Sequence, residues 1–501
     1  MSNKKIFIIL LAILILGGFL RFYKLGEQPF VTDEFLDINA AYGYYQTGKW
    51  QAWDFNLGQV SQDLYGLRDE RTWLYRWQVA QLFHWFSPTE VAARSVSAVW
   101  GLISIVVLYF AATYFTKSRT VGLISAFLFS VSISGIVFDR MLRMYSMFFP
   151  VFLLFSWFLF RFLEEEYKGK IALVKKIQTV AGINAIWLVP AIVAGLASWH
   201  LHPLTINIFI ILVLYFIIQA GANWYQKRSY VNKYTIMLLL MLAGAAGYYL
   251  YNPKNFLFYF NLLDFLKNNL SYFSAAVSDW SHLILSYSFI LLGLFFLVKN
   301  SESRKGAVWL AACFLSIVGM AAFFWKMSFG PRFIFFAKSF GIILLSSGIY
   351  ALAIFLKENL ARYKNQIFAA VMTSALLVVP NWAYFFSQEN SYSRSENSPD
   401  YRKAFQYFLK KRGAQDMLVT KNFRSFYFRD AGAKVYNIKS RKIDLAELHD
   451  ILAANRSGWV VTGDVKGDFE KGAIDFMENN FKKKETGGVN LYRWQSPEEK
   501  N

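Results

Sequence analysis

FVTDEFLDINAAYGYYQTGKW, residues 30–50, sets Asp33, Glu34 and Asp37 within five residues of one another, directly after the first apolar run of the chain. Such a stretch belongs beyond the end of a membrane span, at the boundary between water and lipid headgroups, because a carboxylate inside hydrocarbon is costly. Thr32 is placed to cap a helix beginning at Asp33. Asp33 and Glu34 then occupy its first turn, where the helix dipole favours negative charge, and Asp37 lies one turn further on. The plainer alternative is a solvated helix start that keeps the loop out of lipid.

The surroundings of this stretch fix the class. A 501-residue chain with 55% hydrophobic residues, 19% aromatics and 50 phenylalanines carries more apolar surface than a soluble chain of this length buries. It reads as a polytopic α-helical membrane protein. The net charge of +20 does not indicate nucleic acid, because Lys and Arg punctuate the gaps between apolar runs rather than gathering on a nucleic-acid-binding fold. One cysteine, Cys313, excludes an intrachain disulfide framework and a cysteine-based metal site. No small-residue cleavage site follows MSNKK and its apolar run before Arg21, so that run reads as a retained first span.

Eleven apolar runs, near 5–22, 91–115, 120–138, 145–163, 178–199, 203–223, 234–251, 283–298, 306–325, 333–356 and 366–386, approach the roughly 20 residues a helix needs to cross a bilayer. If MSNKK is cytoplasmic, the inner connections become TKSRT, EEEYKGKIALVKK, WYQKRSYVNK, KNSESRK and KENLARYKNQ. Each carries Lys or Arg beside the membrane, as the positive-inside rule expects. The N-terminus is then cytoplasmic and the tail beyond 387 extracytoplasmic, in a plasma (inner) membrane. The expected organisation is a membrane domain over 1–386 with a long first outer loop at 23–90, a linker at 387–398 and an extracytoplasmic α/β domain at 399–501. WLYRWQVAQLFHWF (73–86), with Arg76, Gln78 and Gln81 interleaved, suits a helix lying flat in the interface, and residues 255–273 suit a second one.

The outer side also collects cations. FDRMLRMYS (138–146) offers Asp139, Arg140 and Arg143, and GPRF offers Arg332 at the mouth of the tenth run. An arginine there either snorkels to water or binds an anion. His200 and His202 in WHLHP are ordinary loop histidines, or, with a carboxylate, donors for a divalent cation.

The acidic pair in FVTDEFLDINAAYGYYQTGKW, the run SPTEVAARSVSAVWGLISIVVLYFAATYF, the turn FDRMLRMYSMF and the late GPRFIFF together resemble the polyprenyl-phosphate-sugar-dependent glycosyltransferases of the GT-C fold, in particular the protein O-mannosyltransferase-like and aminoarabinose-transferase-like branches. The resemblance implies transfer of a sugar, with inversion, from a lipid-linked phosphate to an acceptor hydroxyl of a protein, glycolipid or polymer. It implies Asp33 as base, Glu34 as its neighbour positioning acceptor or metal, Asp139 as a second acidic site, and Arg143 and Arg332 as a phosphate clamp. Arg140, His200, His202 and Asp37 stand in reserve. A divalent cation is left open, and no other cofactor is called for. A guanidinium fork matches phosphate oxygens as a lysine does not, and a departing lipid phosphate needs cations rather than a proton donor. Membrane lipids are the surrounding partner. No GxGxxG or P-loop occurs in the membrane part.

The tail alternates helix and strand patterns: a helix to Gly413, strands DMLVT and KVYNI, the helix DLAELHDILAAN with Asp444 and Glu447 spaced as a capping box, strand GWVVTGD, helix DFEKGAIDFMENN and strand NLYRW. A small α/β domain on a mainly parallel sheet is expected, holding the acceptor or covering the site. A transporter or lipid flippase with an outer cap is the rival reading. It would place broken helices and charges at mid-membrane, and Pro150 and Pro190 are the residues able to break spans. A surface sensor would not need eleven spans.

Overall fold

The computed structural model describes residues 2–62, 72–227, 229–254, 257, 263–264, 269–326, 329–359, 364–386, 399–429, 434–438 and 441–495. The chain divides into two compact units. One holds Met1–Arg21, Ala98–Asp139 and Met144–Phe386, and the other Phe22–Ser97, Arg140–Arg143 and Ser387–Asn501.

Each of the eleven apolar runs is found as a helix or as a bent pair of helices. Among the described residues seven single helices are long and apolar enough to cross a membrane, and two bent pairs bring the number to nine. Leu283–Lys299 and Asn365–Val378 are apolar but shorter. The bent pairs correct the sequence reading at two places. The run at 120–138 turns by 62° between Arg119–Ser130 and Ile133–Asp139, and the run at 178–199 by 105° between Ala172–Ala181 and Ala185–Leu201. Neither break is at a proline. Pro150 lies within the continuous helix Tyr145–Glu164, and Pro190 is the third residue of Leu188–Leu201, where its missing N–H has no helical partner to lose.

A broken span leaves backbone groups that hydrocarbon cannot satisfy, so the first bend needs polar side chains around it. Arg21 serves its upstream end: Nη1 donates to the Ser130 carbonyl at 3.0 Å and Nη2 to that of Phe129 at 3.3 Å, while Nε pairs with Asp139 at 2.8 Å. Asp279 serves the downstream end, accepting from the Ser134 N–H at 2.9 Å and from the Ser132 and Ser134 hydroxyls. Lys338 neutralises it at 3.0 Å. Although burial alone would raise the Asp279 carboxyl, the Lys338 ammonium and these serine donors hold it below the ordinary range.

The other unit gathers the first outer loop, the turn at 140–143 and the tail. The sequence reading draws a boundary at 386 and treats 23–90 as part of the membrane domain, whereas the contacts group residues 22–97 with the tail. Aromatic packing is the reason: Phe30 and Phe55 stand edge-on to Phe426 at 5.0 and 5.1 Å, and Phe35 to Tyr427 at 5.5 Å. Glu90 accepts from Tyr427 Oη at 2.6 Å and Arg402 Nη2 at 2.5 Å. The expected linker at 387–398 lies outside the described residues, as does most of the second interfacial element at 255–273.

Trp73–Leu82 is helical, with Arg76 turned inward. Arg76 is buried together with Tyr75, Val79 and Ala80, while Trp73 and Trp77, one turn apart, are exposed, followed by Trp85 and Phe86. A short hairpin, β1 (Trp53–Asp54) and β2 (Gln59–Val60), precedes it.

The tail forms a five-stranded sheet of β3 (Met417–Thr420), β4 (Lys434–Asn437), β5 (Ser457–Thr462), β6 (Lys482–Thr486) and β7 (Val489–Gln495), in the order β4-β3-β5-β7-β6. β3 is parallel to β4 and β5, but β7 runs antiparallel to β5 and β6 to β7, so the sheet is mixed rather than mainly parallel. The strand absent from the sequence reading is β6, KKKET. As an exposed edge it has no apolar alternation, and its lysines discourage further strand addition. Gly487 and Gly488, both at positive φ, close its hairpin with β7. Asp444 caps the helix Leu445–Ala454 as expected by accepting from the Glu447 N–H at 2.8 Å, but the Glu447 side chain accepts from Tyr436 Oη instead of closing the box. Leu448, Ile451, Val460, Met477 and Tyr492 fill the core beneath.

Gly101 lets its helix approach the Arg21–Asp139 pair, since a Cβ there would strike the Asp139 carboxylate and come within 2.6 Å of Arg21 Nε. Gly101→Val is expected to destabilise the protein by about 3 kcal/mol, read as a lowered unfolding midpoint in detergent. Gly18→Ala, whose Cβ meets only Leu102 at 3.8 Å, is expected to leave the midpoint unchanged.

Candidate active site

The helix carrying the acidic run spans Thr32–Thr47, one residue earlier than expected. Val31, in extended conformation, precedes it, and the first turn is closed by Glu34, whose Oε2 accepts from the Val31 N–H at 2.9 Å. The i, i+4 spacing puts Asp33 and Asp37 on one face, and Glu34 turns about 100° away. The three carboxylates therefore enter two different environments.

Asp37 is buried between two guanidiniums. Its Oδ1 accepts from Arg76 Nε at 2.7 Å and its Oδ2 from Arg143 Nη1 at 2.6 Å. Arg143 Nη1 also donates to the Asp33 carbonyl at 3.2 Å, and its Nη2 lies 3.8 Å from Asp33 Oδ2. The Asp33 side chain is 41% exposed, against 14% for Arg143 and 2% for Asp37. The result is a graded series: a buried carboxylate, a guanidinium that it steadies, and a half-exposed carboxylate at the surface. Behind it Tyr75 Oη and Ser97 Oγ share a hydrogen bond of 2.6 Å, and Ser97 Oγ also reaches the Arg143 carbonyl at 3.4 Å. Burial drives the Tyr75 hydroxyl well above its ordinary range, which keeps its proton in place.

Glu34 is committed to holding the fold. Arg94 grips it in a two-pronged pair, Nε to Oε1 and Nη2 to Oε2, both at 2.8 Å, and the Leu142 N–H donates to Oε1 at 2.7 Å. Arg94 spends its other donors on the carbonyls of Leu25, Gln28 and Pro29. Through Leu142, Glu34 fixes the turn that presents Arg143, and Arg140 secures the same turn by donating to the carbonyls of Tyr23 and Lys24.

The other expected residues belong to the membrane-helix unit. Asp139 is fully buried with Arg21, so it does not meet the solvated turn for which it was expected. Arg332 is exposed on the single turn Pro331–Phe333, its guanidinium 5.2 Å from the Phe333 ring. His202 accepts from the Leu204 N–H through Nδ1 at 3.0 Å and lies against Tyr145 and Phe148, and His200 is in the last turn of the helix Leu188–Leu201. No group of three or more His, Cys, Asp or Glu side chains suited to a metal occurs among the described residues. The acidic pair does not supply a chelate either, because both Glu34 oxygens are taken by Arg94 and backbone donors.

Arg76 and Arg94 were not among the expected site residues, although both lie in stretches whose pattern is plain. Arg76 reads as the polar stripe of an amphipathic helix, and Arg94 as one of the first-turn residues of a span. The signal that points to them is stoichiometric: three carboxylates beside a membrane need cations, and one turn at 140–143 cannot neutralise all of them.

No family model and no curated protein matches the sequence. The fold does have counterparts. ArnT from Cupriavidus metallidurans, solved bound to undecaprenyl phosphate, superposes with a TM-score of 0.57 over 98% of this chain and 98% of its own, at 12% identity. The Archaeoglobus fulgidus oligosaccharyltransferase in its apo form gives a TM-score of 0.62 over 96% of this chain and 73% of its own, at 9% identity. The oligosaccharyltransferase AglB from the same organism, in complex with an inhibitory peptide and a dolichol-phosphate, gives 0.55 over all of this chain and 75% of its own, at 10% identity. At such identities the likeness is one of fold, and the chain has the GT-C fold, with an α-helical membrane part and a C-terminal sheet domain.

Proposed function

We propose that this protein is an inverting membrane glycosyltransferase that moves a sugar from a polyprenyl-phosphate donor to an acceptor hydroxyl at the outer face of the membrane. The observation that carries the reading is the exposed Asp33 carboxylate beside Arg143, a guanidinium held by the buried Asp37. Fold likeness to proteins solved with undecaprenyl phosphate or dolichol-phosphate supports the donor class.

The chemistry needs one base and one anion clamp. Asp33 accepts the proton of the acceptor hydroxyl as its oxygen attacks the anomeric carbon. The bond from that carbon to the phosphate oxygen breaks, and the electron pair leaves with the lipid phosphate, whose growing charge falls to Arg143. A phosphate leaves as an anion, so no general acid is required. Glu34 and Arg140 hold the turn that carries Arg143, and Asp37 with Arg76 hold the guanidinium. Asp139 serves the membrane fold through Arg21, and His200 and His202 take no step. No step is routed through a metal ion. The sheet domain, sharing a unit with the acidic helix, is suited to shaping the acceptor side.

Transfer is measured on detergent-purified protein, by mass analysis of products from a panel of polyprenyl-phosphate sugars. Asp33→Asn is expected to lower it at least about 100-fold while donor binding stays within about twofold. Unchanged transfer would remove Asp33 from the reaction. Arg76→Met leaves Asp37 buried with one cation instead of two and is expected to cost about 3 kcal/mol of stability together with loss of transfer. An unaltered unfolding midpoint would show that Arg76 does not support the site.

A further inference from the structure

The membrane-helix unit contains a cavity of about 1120 Å³ among the ends of Glu90–Thr116, Tyr145–Glu164, Asn207–Lys227 and Leu283–Lys299 and the starts of Ala185–Leu201, Lys233–Tyr251 and Arg304–Phe323. These ends carry the basic connections TKSRT, EEEYKGKIALVKK, WYQKRSYVNK and KNSESRK. No residue of the proposed transfer chemistry lines the cavity. Six cations and four carboxylates do, an excess of positive charge in a space far larger than a structural ion pair needs.

Two of the carboxylates are already consumed. Glu164, only 3% exposed, is held by Lys305 Nζ at 2.6 Å, Tyr234 Oη at 3.0 Å and Lys233 Nζ at 3.4 Å. Glu165 accepts from Arg161 at 2.5 and 2.8 Å and from Tyr114 Oη at 2.8 Å. These pairs build a rigid wall, and Arg161 is further fixed 3.4 Å above the Trp187 ring. Of the remaining cations Arg304 donates through Nε to the Val298 carbonyl, and Lys117 and Lys168 complete the lining, with Lys117 Nζ 4.3 Å over the Tyr114 ring. Burial pulls the Lys117 ammonium below its ordinary range in spite of Glu165 and Glu302, so its own surroundings under-compensate its charge.

Between the lining residues Lys168 and Asn184 the chain forms the helix Ala172–Ala181. It meets the following span at 105°, and leaves Ile171, Leu173 and Val180 exposed beside Lys175 and Lys176. A helix of this kind lies along the membrane surface with its apolar residues in the acyl boundary. The cavity therefore sits at headgroup level, where Trp and Tyr rings are at home and where basic pockets between helices take anionic lipids.

We propose that this cavity binds the phosphate headgroup of an anionic membrane phospholipid, with Lys117 and Lys168 meeting the phosphate and the wall of Glu164 and Glu165 pairs holding the shape. The assignment is independent of the transferase reading. It is tested on the full chain in neutral detergent by native mass spectrometry with phosphatidylglycerol, phosphatidylcholine and inorganic phosphate as probes. Phosphatidylglycerol is expected to bind at least tenfold more tightly than phosphatidylcholine. The double variant Lys117→Gln and Lys168→Gln is expected to lose at least tenfold of that affinity, whereas Lys403→Gln, which removes an exposed charge from the other unit, is expected to change nothing. Equal affinity for the two lipids, measured on the unaltered chain and so free of any folding defect, would overturn the proposal. So would a double variant that binds normally, and displacement of the lipid by inorganic phosphate at equal concentration would reassign the cavity to a soluble anion.

Discussion

A carboxylate taken out of water must be neutralised where it stands, and in this protein that requirement organises both units. Breaking a buried pair by removing one partner costs on the order of 3–5 kcal/mol, because the remaining charge is left desolvated. Glu34 with Arg94, Asp37 with Arg76 and Arg143, Asp139 with Arg21, and Asp279 with Lys338 each meet it with side chains almost wholly buried, save Arg143 at the edge. Asp33 is the member of the acidic run at the surface, 41% exposed and 3.8 Å from the Arg143 guanidinium that Asp37 holds. Rigid support behind an exposed carboxylate is what a base needs, since misplacement of about 1 Å can cost a hundredfold in rate.

In the membrane-helix unit the same electrostatics allow a span to break without a proline. The bend after Ser130 exposes carbonyls on one side and an amide on the other. Arg21 is a donor for the first, and Asp279 an acceptor for the second. Each would be prohibitive alone in hydrocarbon, and each is discharged by its own counter-ion. Asp139, in a turn that reads from sequence as solvent-facing, is thereby spent on the fold. The acidic residues are thereby divided by function: Glu34, Asp139 and Asp279 serve the fold from buried positions, and Asp33 is partly exposed beside Arg143.

Several elements were plain in the chain. The apolar runs map one to one onto helices or bent pairs, the i, i+4 relation of Asp33 and Asp37 follows from helical period alone, and the tail strands DMLVT, KVYNI and GWVVTGD stand where alternation and turn residues put them. The errors have physical causes. KKKET lacks apolar residues because an edge strand is better protected by lysine than by valine. In the helix Trp73–Leu82 the pattern shows Arg76 only as one of three interleaved polar residues, and it faces inward because Asp37 pairs with it. The outer loop was assigned to the membrane domain by sequence adjacency, but Phe30, Phe35 and Phe55 find their packing partners near residue 426.

What the sequence by itself determined is therefore everything that repeats or ends locally: the membrane class, the number and order of apolar helices, the basic connections, and the presence of an acidic helix start beside the first span. What only the tertiary structure decided is the matching of charges. The partners of Asp37 are 39 and 106 residues away, that of Glu34 60, and that of Arg21 118. Coulombic attraction depends on separation in space and on the dielectric around the pair. No periodicity along the chain encodes either, so which carboxylate is buried in a pair and which one reaches water is settled when the helices pack.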